Sequence, residues 1–406
     1  MKNRLITISI LILIFIAIIF VYNYYFKSDQ QRVGIILLGK NADEECRSVK
    51  KGILLAQYII GKESGNDLTF IFNESGANAQ EAAAVARDLI RKKKVKAIIA
   101  HVSVEALIAI DSVCEKEKVI LLCPAMSDPK LSGIGKYFFR LCPSDDYEGQ
   151  VMAECIARYQ IWEGINIFDR VLIITDKSGY SEEVKKAFTK KYYELNGHVV
   201  GVLNNYEEIN SEEFKRIYKN EMRQQEFLAI YIIGRSLTTA RSLLCLYEEP
   251  FFDPYTVKVF IATKAFNEKL RKSASRYFIP RGLNRYTVVC PLVTDFERSN
   301  ANKKKSVFTI NYFKRYNSYP DVQAALAYDS VMLIRDSFKR VRNFSGDLYH
   351  DISTLDSWEG VTGSISFNVL HDSENLTLYG YDGKNLLTLK EIREKGRYPF
   401  YIESCK

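Results

Sequence analysis

The chain has 406 residues, of which 47% are hydrophobic and 26% are charged. This composition excludes a disordered protein, and the length predicts two globular lobes with small additions. The net charge of +8 is modest, and its densest source, Arg91 to Lys96, follows a predicted helix whose carboxyl end favours cations. Because no basic stripe with stacking or base-reading residues is visible, we predict no nucleic-acid partner.

The first predicted element is the uncharged apolar run from Leu5 to Phe26. Its length suits a bilayer core of about 30 Å, so we expect one transmembrane anchor. Residues 1–4 carry basic side chains and would form a cytoplasmic tail, which places the rest of the chain outside the cytoplasmic membrane, either periplasmic or extracellular. A long signal peptide cut near Tyr25 is the alternative, although the bulky aromatic end of the run favours an uncleaved segment.

Short apolar strands and amphipathic helices alternate after the anchor. The pattern predicts a strand over Arg32 to Gly39, a helix over Ser48 to Ile60, and then a further strand and helix at DLTFIFNE and AQEAAAVARDLIRK. The later apolar runs are KAIIAH, VILLCP, RVLIITD, FLAIYIIG and VKVFIAT. Near-continuous apolar strands are typical of parallel sheets that are covered on both faces, so the predicted fold class is α/β with two Rossmann-like lobes.

Three points along the chain look like crossings between the lobes: Cys142 to Asp146, Val288 to Val293, and Gly360 to Ser366. The first of them precedes a helix predicted to begin at Gln150. The expected lobes are therefore discontinuous, with residues 32–143 and 292–360 in the first and residues 144–290 and 361–406 in the second. Three connections of this kind form a hinge that lets two lobes close on a ligand.

The residues that could carry chemistry are scattered. The four histidines lie far apart in sequence and match no Ser or Cys nucleophile motif, and no glycine-rich phosphate loop is present, so we predict no catalytic residues and no cofactor. The eight cysteines contain no CxxC pair and no spacing typical of a metal site, so we predict no metal. Most of the cysteines fit core positions, while Cys46, in the first strand-to-helix loop, is the best candidate for a disulfide.

Seven segments in a fixed order resemble those of a known family. They are AQEAAAVARDLIRKKKVKAIIAH, VILLCPAMSDPKLS, YFFRLCPSDDYEGQ, VLIITDKSGYSEEVKKAF, LAIYIIGRSLTTARSLL, AALAYDSVMLI and GVTGSISF. On these segments the chain resembles periplasmic binding proteins of the type I fold, closest to the leucine/isoleucine/valine-binding branch that serves ABC transporters. The resemblance runs from about Val33 to about Leu389. It implies a small-molecule ligand bound between two lobes and an ABC permease as partner.

In that family an amino acid is held by its carboxylate and its ammonium group. Carried over by position, the carboxylate-binding Ser falls on Val104, next to Ser103. The residue whose carbonyl binds the ammonium falls on Met126, and the Thr that binds it falls on Ser127. Ser103 and Ser127 have an alternative role, because serine at such positions commonly caps the helix or turn that follows.

The second lobe departs further from the family pattern. The family's Tyr falls on Tyr180, a later aromatic falls on Arg235, and the acid that binds the ammonium falls on Lys264. A lysine in place of an acid opposes an ammonium ligand, and together with Arg235 it favours an anionic group. From these departures we predict an acidic or amide-like solute rather than leucine. The alternatives are that Lys264 turns to solvent and that Arg235 pairs with an acid such as Asp176 or Glu207.

The expected function is that of an extracytoplasmic solute-binding protein that closes on a small amino-acid-like or acidic ligand and delivers it to an ABC transporter. A membrane-anchored sensing or interaction module of the same fold is the alternative, and that module could have lost small-molecule binding, because one fold serves several functions.

Overall fold

The computed structural model describes residues 31–39, 43–63, 68–74, 78–158, 160–162, 165–166, 169–224, 228–250, 252, 257–273, 288–296, 303–344, 347–381 and 385–394. Within these ranges no helix is both long enough and apolar enough to cross a membrane. The predicted anchor and its short preceding tail lie outside the described residues.

Strands and helices alternate along most of the chain. The strands are β1 (Gln31–Leu37), β2 (Leu68–Asn73), β3 (Ala97–His101), β4 (Ile120–Cys123), β5 (Phe138–Arg140), β6 (Gln160–Trp162), β7 (Ile165–Asn166), β8 (Arg170–Thr175), β9 (His198–Leu203), β10 (Leu228–Ile233), β11 (Val257–Ile261), β12 (Val288–Leu292), β13 (Trp358–Glu359), β14 (Ser364–Ile365), β15 (Thr377–Tyr381) and β16 (Leu386–Thr388).

The helices are α1 (Glu44–Lys62), α2 (Ala79–Arg91), α3 (Val104–Glu117), α4 (Asp145–Ala157), α5 (Gly179–Glu194), α6 (Glu212–Gln224), α7 (Ser236–Glu248), α8 (Glu268–Ser273), α9 (Lys303–Tyr316), α10 (Val322–Phe344), α11 (Leu348–Ser353) and α12 (Leu389–Glu394). Short 3-10 turns occur at Pro129–Leu131 and Tyr206–Asn210.

The chain folds into two compact units, each assembled from separate stretches of sequence. Among the described residues, the first unit lies within 31–124, 135–138 and 327–354, and the second lies within 125–134, 139–326 and 355–394. The predicted α/β class is confirmed, because each unit contains parallel strands joined through helices. The lobe boundaries and the three-segment hinge stay predictions, since compactness by itself does not define a hinge.

The first sheet has the strand order β2-β1-β3-β4-β5, and β1 pairs in parallel with both β2 and β3. All residues of β3 and β4 are buried, as expected for parallel strands that are covered on both faces. Helices α1, α2 and α3 each begin at a side-chain cap, provided by Asp43, Asn78 and Ser103 respectively. The Asp43 cap starts α1 before the predicted Ser48, because its carboxylate accepts the Cys46 amide at 2.8 Å.

The second sheet has the order β16-β15-β12-β11-β10-β8-β9. Strands β8 to β12 pair in parallel with one another, but β15 pairs antiparallel with both β12 and β16. The sequence pattern predicted parallel sheets and missed this antiparallel edge, because β15 and β16 are short and only partly buried, and their residues do not form a continuous apolar run.

Alternate residues of the central strands enter two cores on opposite faces of the second sheet. Leu172, Ile230 and Val259 pack into one core, whereas Ile173, Tyr231 and Phe260 pack into the other. This is the period of two that a β-strand imposes on its side chains. The second of these cores also contains residues of α4 and α5, and the first turn of α5 carries Tyr180, a predicted site residue.

Gly149 allows α4 and α5 to approach each other closely. A Cβ atom at this position would lie 2.6 Å from the Val184 carbonyl oxygen and 2.8 Å from the Phe188 nitrogen, both on α5. Backbone atoms of a packed helix cannot move away cheaply, so Gly149→Ala is expected to lower the free energy of unfolding by about 2 kcal/mol in urea titrations.

The control is Gly179→Ala on α5, where a new Cβ meets no atom within 4 Å. That variant is expected to stay within about 0.5 kcal/mol of the wild type. An equal loss from both substitutions would contradict a close approach specific to Gly149.

No two of the seven described cysteines form a disulfide. Cys46, the predicted candidate for a bridge, has no disulfide partner among these seven. Its buried sulfur lies 3.9 Å from the Leu38 carbonyl oxygen. Burial raises the pKa of the Cys46 thiol, which disfavours the reactive thiolate. Core packing, expected for most of the cysteines, accounts for the buried thiols.

Candidate functional site

Two of the sequence-predicted site residues, Ser103 and Val104, lie in the first unit, at the start of α3. The Ser103 hydroxyl accepts the Ala106 amide at 3.3 Å, and Val104 is the first residue of the helix. Ser103 therefore has the capping role that the sequence analysis gave as its alternative. The nearby His101 is buried, and this burial lowers its pKa to about 4, so its ring is neutral at physiological pH. A ligand role for Ser103 and Val104 stays a prediction.

The second unit brings together three of the predicted residues: Ser127, Tyr180 and Lys264. The Lys264 Nζ donates to the Ser127 hydroxyl at 3.0 Å and lies 4.1 Å from the centre of the Tyr180 ring. Ser127 belongs to the loop before Pro129, Tyr180 to the first turn of α5, and Lys264 to the turn after β11. Residues distant in sequence thus meet around one cationic group.

The same ammonium group faces a carboxylate that the sequence analysis did not single out. The Asp145 Oδ1 lies 3.7 Å from the Lys264 Nζ. Burial raises the pKa of Asp145 to about 6, although the Lys264 charge and a hydrogen bond from the Ser127 hydroxyl act in the opposite direction. Lys264 is therefore not turned simply to solvent, since part of its charge is balanced within the unit.

Asp145 was missed because α4 was predicted to begin at Gln150. The helix begins five residues earlier, because the Ser144 side chain caps it by accepting the Tyr147 amide at 3.1 Å. This start places Asp145 and Glu148 three residues apart on the first turn, where side chains share a face. The available signal was the sequence Ser-Asp-Asp-Tyr-Glu, a cap residue followed by acids suited to a helix N-terminus.

Glu148 is the second residue that the sequence did not reveal, and it holds Tyr180 and the turn after β11 in place. Its Oε1 accepts the Tyr180 hydroxyl at 2.8 Å and the Thr263 amide at 2.8 Å. The Tyr180 oxygen in turn accepts the Lys264 amide at 3.3 Å. Burial raises the pKa of Glu148 to about 7, even though these hydrogen bonds and the Lys264 charge favour the ionised form. The network fixes the Tyr180 ring beneath the Lys264 ammonium.

A buried arginine holds the loop that carries Met126 and Ser127. Arg140 is 0% exposed, and its guanidinium makes a bidentate ion pair with Asp372, with N–O distances of 2.8 and 2.7 Å. Its other N–H groups donate to the Asp128 carbonyl at 2.7 Å, the Met126 carbonyl at 3.3 Å and the Ser132 hydroxyl at 2.7 Å. The Met126 carbonyl, predicted to bind ligand, is thus already engaged by a cation.

Arg235 stands apart from this cluster. It is exposed at the start of α7, and its backbone amide, rather than its guanidinium, donates to Asp176 at 3.1 Å. Asp176 also accepts from Ser178 and Ser181, and these hydrogen bonds outweigh burial and lower its pKa. Among the described residues the Arg235 side chain forms an ion pair with neither Asp176 nor Glu207, so that alternative is wrong, while the ligand role of Arg235 stays a prediction.

The chemistry open to this cluster is polar recognition. Within the described ranges, no group of three or more His, Cys, Asp or Glu side chains could hold a metal ion. Lys264 keeps 36% of its side chain exposed, and its ammonium has three N–H donors, one of which binds the Ser127 hydroxyl. An anionic oxygen of a ligand is the group that such a cation binds most strongly.

A protein-family model for the receptor family ligand binding region matches residues 59–384. No curated protein matches the sequence. Among solved structures, a leucine binding protein from Thermotoga maritima is 21% identical, with a TM-score of 0.60 and coverage of 88% of this chain and 97% of the other.

Two further structures share this coverage of the chain. A putative branched-chain amino acid ABC transporter protein from Rhodospirillum rubrum is 19% identical, with a TM-score of 0.71 and coverage of 88% and 99%. An ABC transporter solute binding protein from R. palustris, in complex with benzoate, is 15% identical, with a TM-score of 0.59 and coverage of 88% and 95%. At these identities the likeness establishes the fold, which is that of type I periplasmic binding proteins, as the sequence resemblance implied. The family match covers most of the sequence, and the chain therefore belongs to the family described as the receptor family ligand binding region.

Proposed function

We propose that this protein is an extracytoplasmic solute-binding protein that captures a small carboxylic acid and delivers it to an ABC transporter. Its fold is that of substrate-binding proteins of such transporters, and this likeness supports the transport role. The predicted anchor, Leu5 to Phe26, would keep the binding units outside the cytoplasm and close to a permease. We propose that the two lobes close on the solute when it binds.

The observation that carries the ligand class is the environment of Lys264. Its ammonium is partly exposed, bonded to Ser127 and held over the Tyr180 ring. A cation fixed in this way attracts a carboxylate and repels an ammonium group, so an acid without an amino group is favoured over a free amino acid. The benzoate complex of the R. palustris protein supports an acid of this kind.

A calorimetric screen on the full chain tests the proposal. The panel pairs each aromatic or aliphatic acid with its amide, for example benzoate with benzamide, and includes leucine and isoleucine. We expect at least one acid to bind about 100-fold more tightly than its amide, which corresponds to about 2.7 kcal/mol. Tight binding of leucine with no response to any acid would contradict the ligand class.

A variant pair connects the binding to Lys264. Lys264→Met removes the ammonium while keeping an unbranched side chain, and we expect it to weaken acid binding about tenfold or more. Lys215→Met is the matched control, because that ammonium pairs with Glu212 on α6 instead. Equal affinities in wild type and Lys264→Met would show that another group binds the carboxylate.

A ligand-sensing module is the second candidate, and the family description, a receptor ligand binding region, is what favours it. The two roles share ligand binding but differ in partner. Co-purification from membranes of the source organism distinguishes them: a permease and its ATPase support transport, while a kinase or chemoreceptor supports sensing. A chain that binds none of the panel would favour a module that has lost small-molecule binding.

A further inference from the structure

Three side chains in the second unit form a box around one ammonium group. The ammonium box is defined by the Asp145 carboxylate, the Ser127 hydroxyl and the Tyr180 ring, which lie 3.7, 3.0 and 4.1 Å from the Lys264 Nζ. An anionic oxygen, a neutral acceptor and an aromatic face are the three kinds of group that stabilise a primary ammonium ion in proteins. The box therefore has the chemistry of an amine-binding site.

The box is held in place by contacts that do not involve the Lys264 side chain. The Asp145 amide donates to the Ser127 carbonyl at 2.9 Å, and the Tyr180 hydroxyl donates to Glu148 at 2.8 Å. The Asp145 and Tyr180 side chains are buried, with 7% of the Asp145 side chain exposed. Such contacts preorganise the box, so it would persist if its occupant were removed.

Lys264 contacts Tyr180 through both its backbone and its side chain. Its backbone amide donates to the Tyr180 hydroxyl at 3.3 Å, and its side chain then crosses the face of the same ring. The lysine is thus held at both ends by residues of the network. Its ammonium also supplies the positive charge that the buried Asp145 carboxylate requires.

We propose that Lys264 is the built-in occupant of the ammonium box and thereby sets ligand specificity. While Lys264 fills the box, an external ammonium group cannot enter it and meets a like charge at its edge. Resting on the proposed function, this means that the solute bound at the site carries a carboxylate but no neighbouring ammonium. Removing the lysine side chain opens the box to free amines.

Chemical rescue tests this directly. Lys264→Ala removes Cγ, Cδ, Cε and Nζ, which together have the size of propylammonium. In calorimetry and thermal-shift experiments on the full chain, we expect propylammonium to bind Lys264→Ala about tenfold or more tightly than the wild type. The shift should be largest for propylammonium, smaller for methylammonium, and absent for tetramethylammonium, which has no N–H donor for Ser127.

Two controls separate the box from general salt effects. Lys264→Met fills the space without a charge and should not respond to propylammonium. Lys264→Ala combined with Asp145→Asn keeps the space but removes the anion, and it should lose most of the rescue. Equal responses of wild type, Lys264→Ala and Lys264→Met, or rescue unaffected by Asp145→Asn, would overturn the proposal.

A variant that does not fold alone still gives a result. Lys264→Ala is then refolded with and without propylammonium chloride, with sodium chloride at equal ionic strength as reference. A refolding yield that rises only with propylammonium supports the box, and a yield that is the same in both salts overturns it. Because the amine experiment uses variants and the acid screen uses the wild type, failure of the acid screen leaves the box testable, and the reverse also holds.

Discussion

Replacing Arg140 with methionine is expected to lower the free energy of unfolding by about 3–5 kcal/mol, the largest effect of any single substitution considered. The guanidinium is fully buried and pairs with Asp372 through two hydrogen bonds. Methionine leaves the Asp372 carboxylate buried without its partner, and it also frees the carbonyls of Met126 and Asp128 from their donor. Each buried acceptor without a donor carries a desolvation cost.

Urea titration followed by far-UV circular dichroism measures this effect. Arg91→Met is the matched control, since Arg91 also donates two hydrogen bonds to a carboxylate, that of Glu117, but these two side chains are 57% and 24% exposed. We expect the control to lose only about 1 kcal/mol. Combining Arg140→Met with Asp372→Leu should recover part of the loss, because no lone charge then remains buried. A loss no greater than that of the control would contradict a structural role for the buried pair.

Arg140→Met should also weaken solute binding if the proposed function holds. The arginine contacts the loop between Met126 and Ser132 at three points, and Ser127 within this loop contacts the Lys264 ammonium. Loosening the loop would reduce the preorganisation of the site.

The second large effect concerns Glu148 and pH. Glutamine at this position is expected to stabilise the protein by up to about 3 kcal/mol at about pH 8 and to change its stability little near pH 4. The reason is that burial raises the pKa of Glu148 to about 7 from its ordinary value of 4.5. The folded chain therefore keeps a proton between these two values that the unfolded chain releases.

The sign of the pH dependence follows from this difference. Where the folded state binds more protons than the unfolded state, the free energy of unfolding falls as pH rises. The contribution of Glu148 is thus most favourable below about pH 4.5, decreases up to about pH 7, and stays constant above that value. Glutamine keeps an oxygen that can accept from Tyr180 and Thr263 but never ionises, so it removes this part of the pH dependence.

The measurement is the difference in unfolding free energy between wild type and Glu148→Gln across this pH range. Taking the difference cancels the titration of the other carboxylates. Glu154→Gln on the same helix is the control, because this side chain is 32% exposed and pairs with Lys191 at 3.5 Å. A difference that is the same at all pH values would contradict a perturbed Glu148.

Parts of the site were open to prediction from the sequence because they depend on short-range rules. Ser103 and Ser127 were expected as possible caps of the helix or turn that follows each of them, since caps have recognisable sequence patterns. The antiparallel edge formed by β15 was not predictable, because its pairing with β12 joins segments about 90 residues apart, and no local pattern reports such a pairing.

The amino-acid sequence by itself determined the α/β alternation, the family and the positive charge at position 264. These features rest on periodicity, composition and residue identity, which are local. Only the tertiary structure decided what Lys264 does, because the contacts of its ammonium with Ser127, Asp145 and Tyr180 come from three distant segments. The sequence shows the charge of Lys264, whereas the partners of that charge depend on how distant segments pack together.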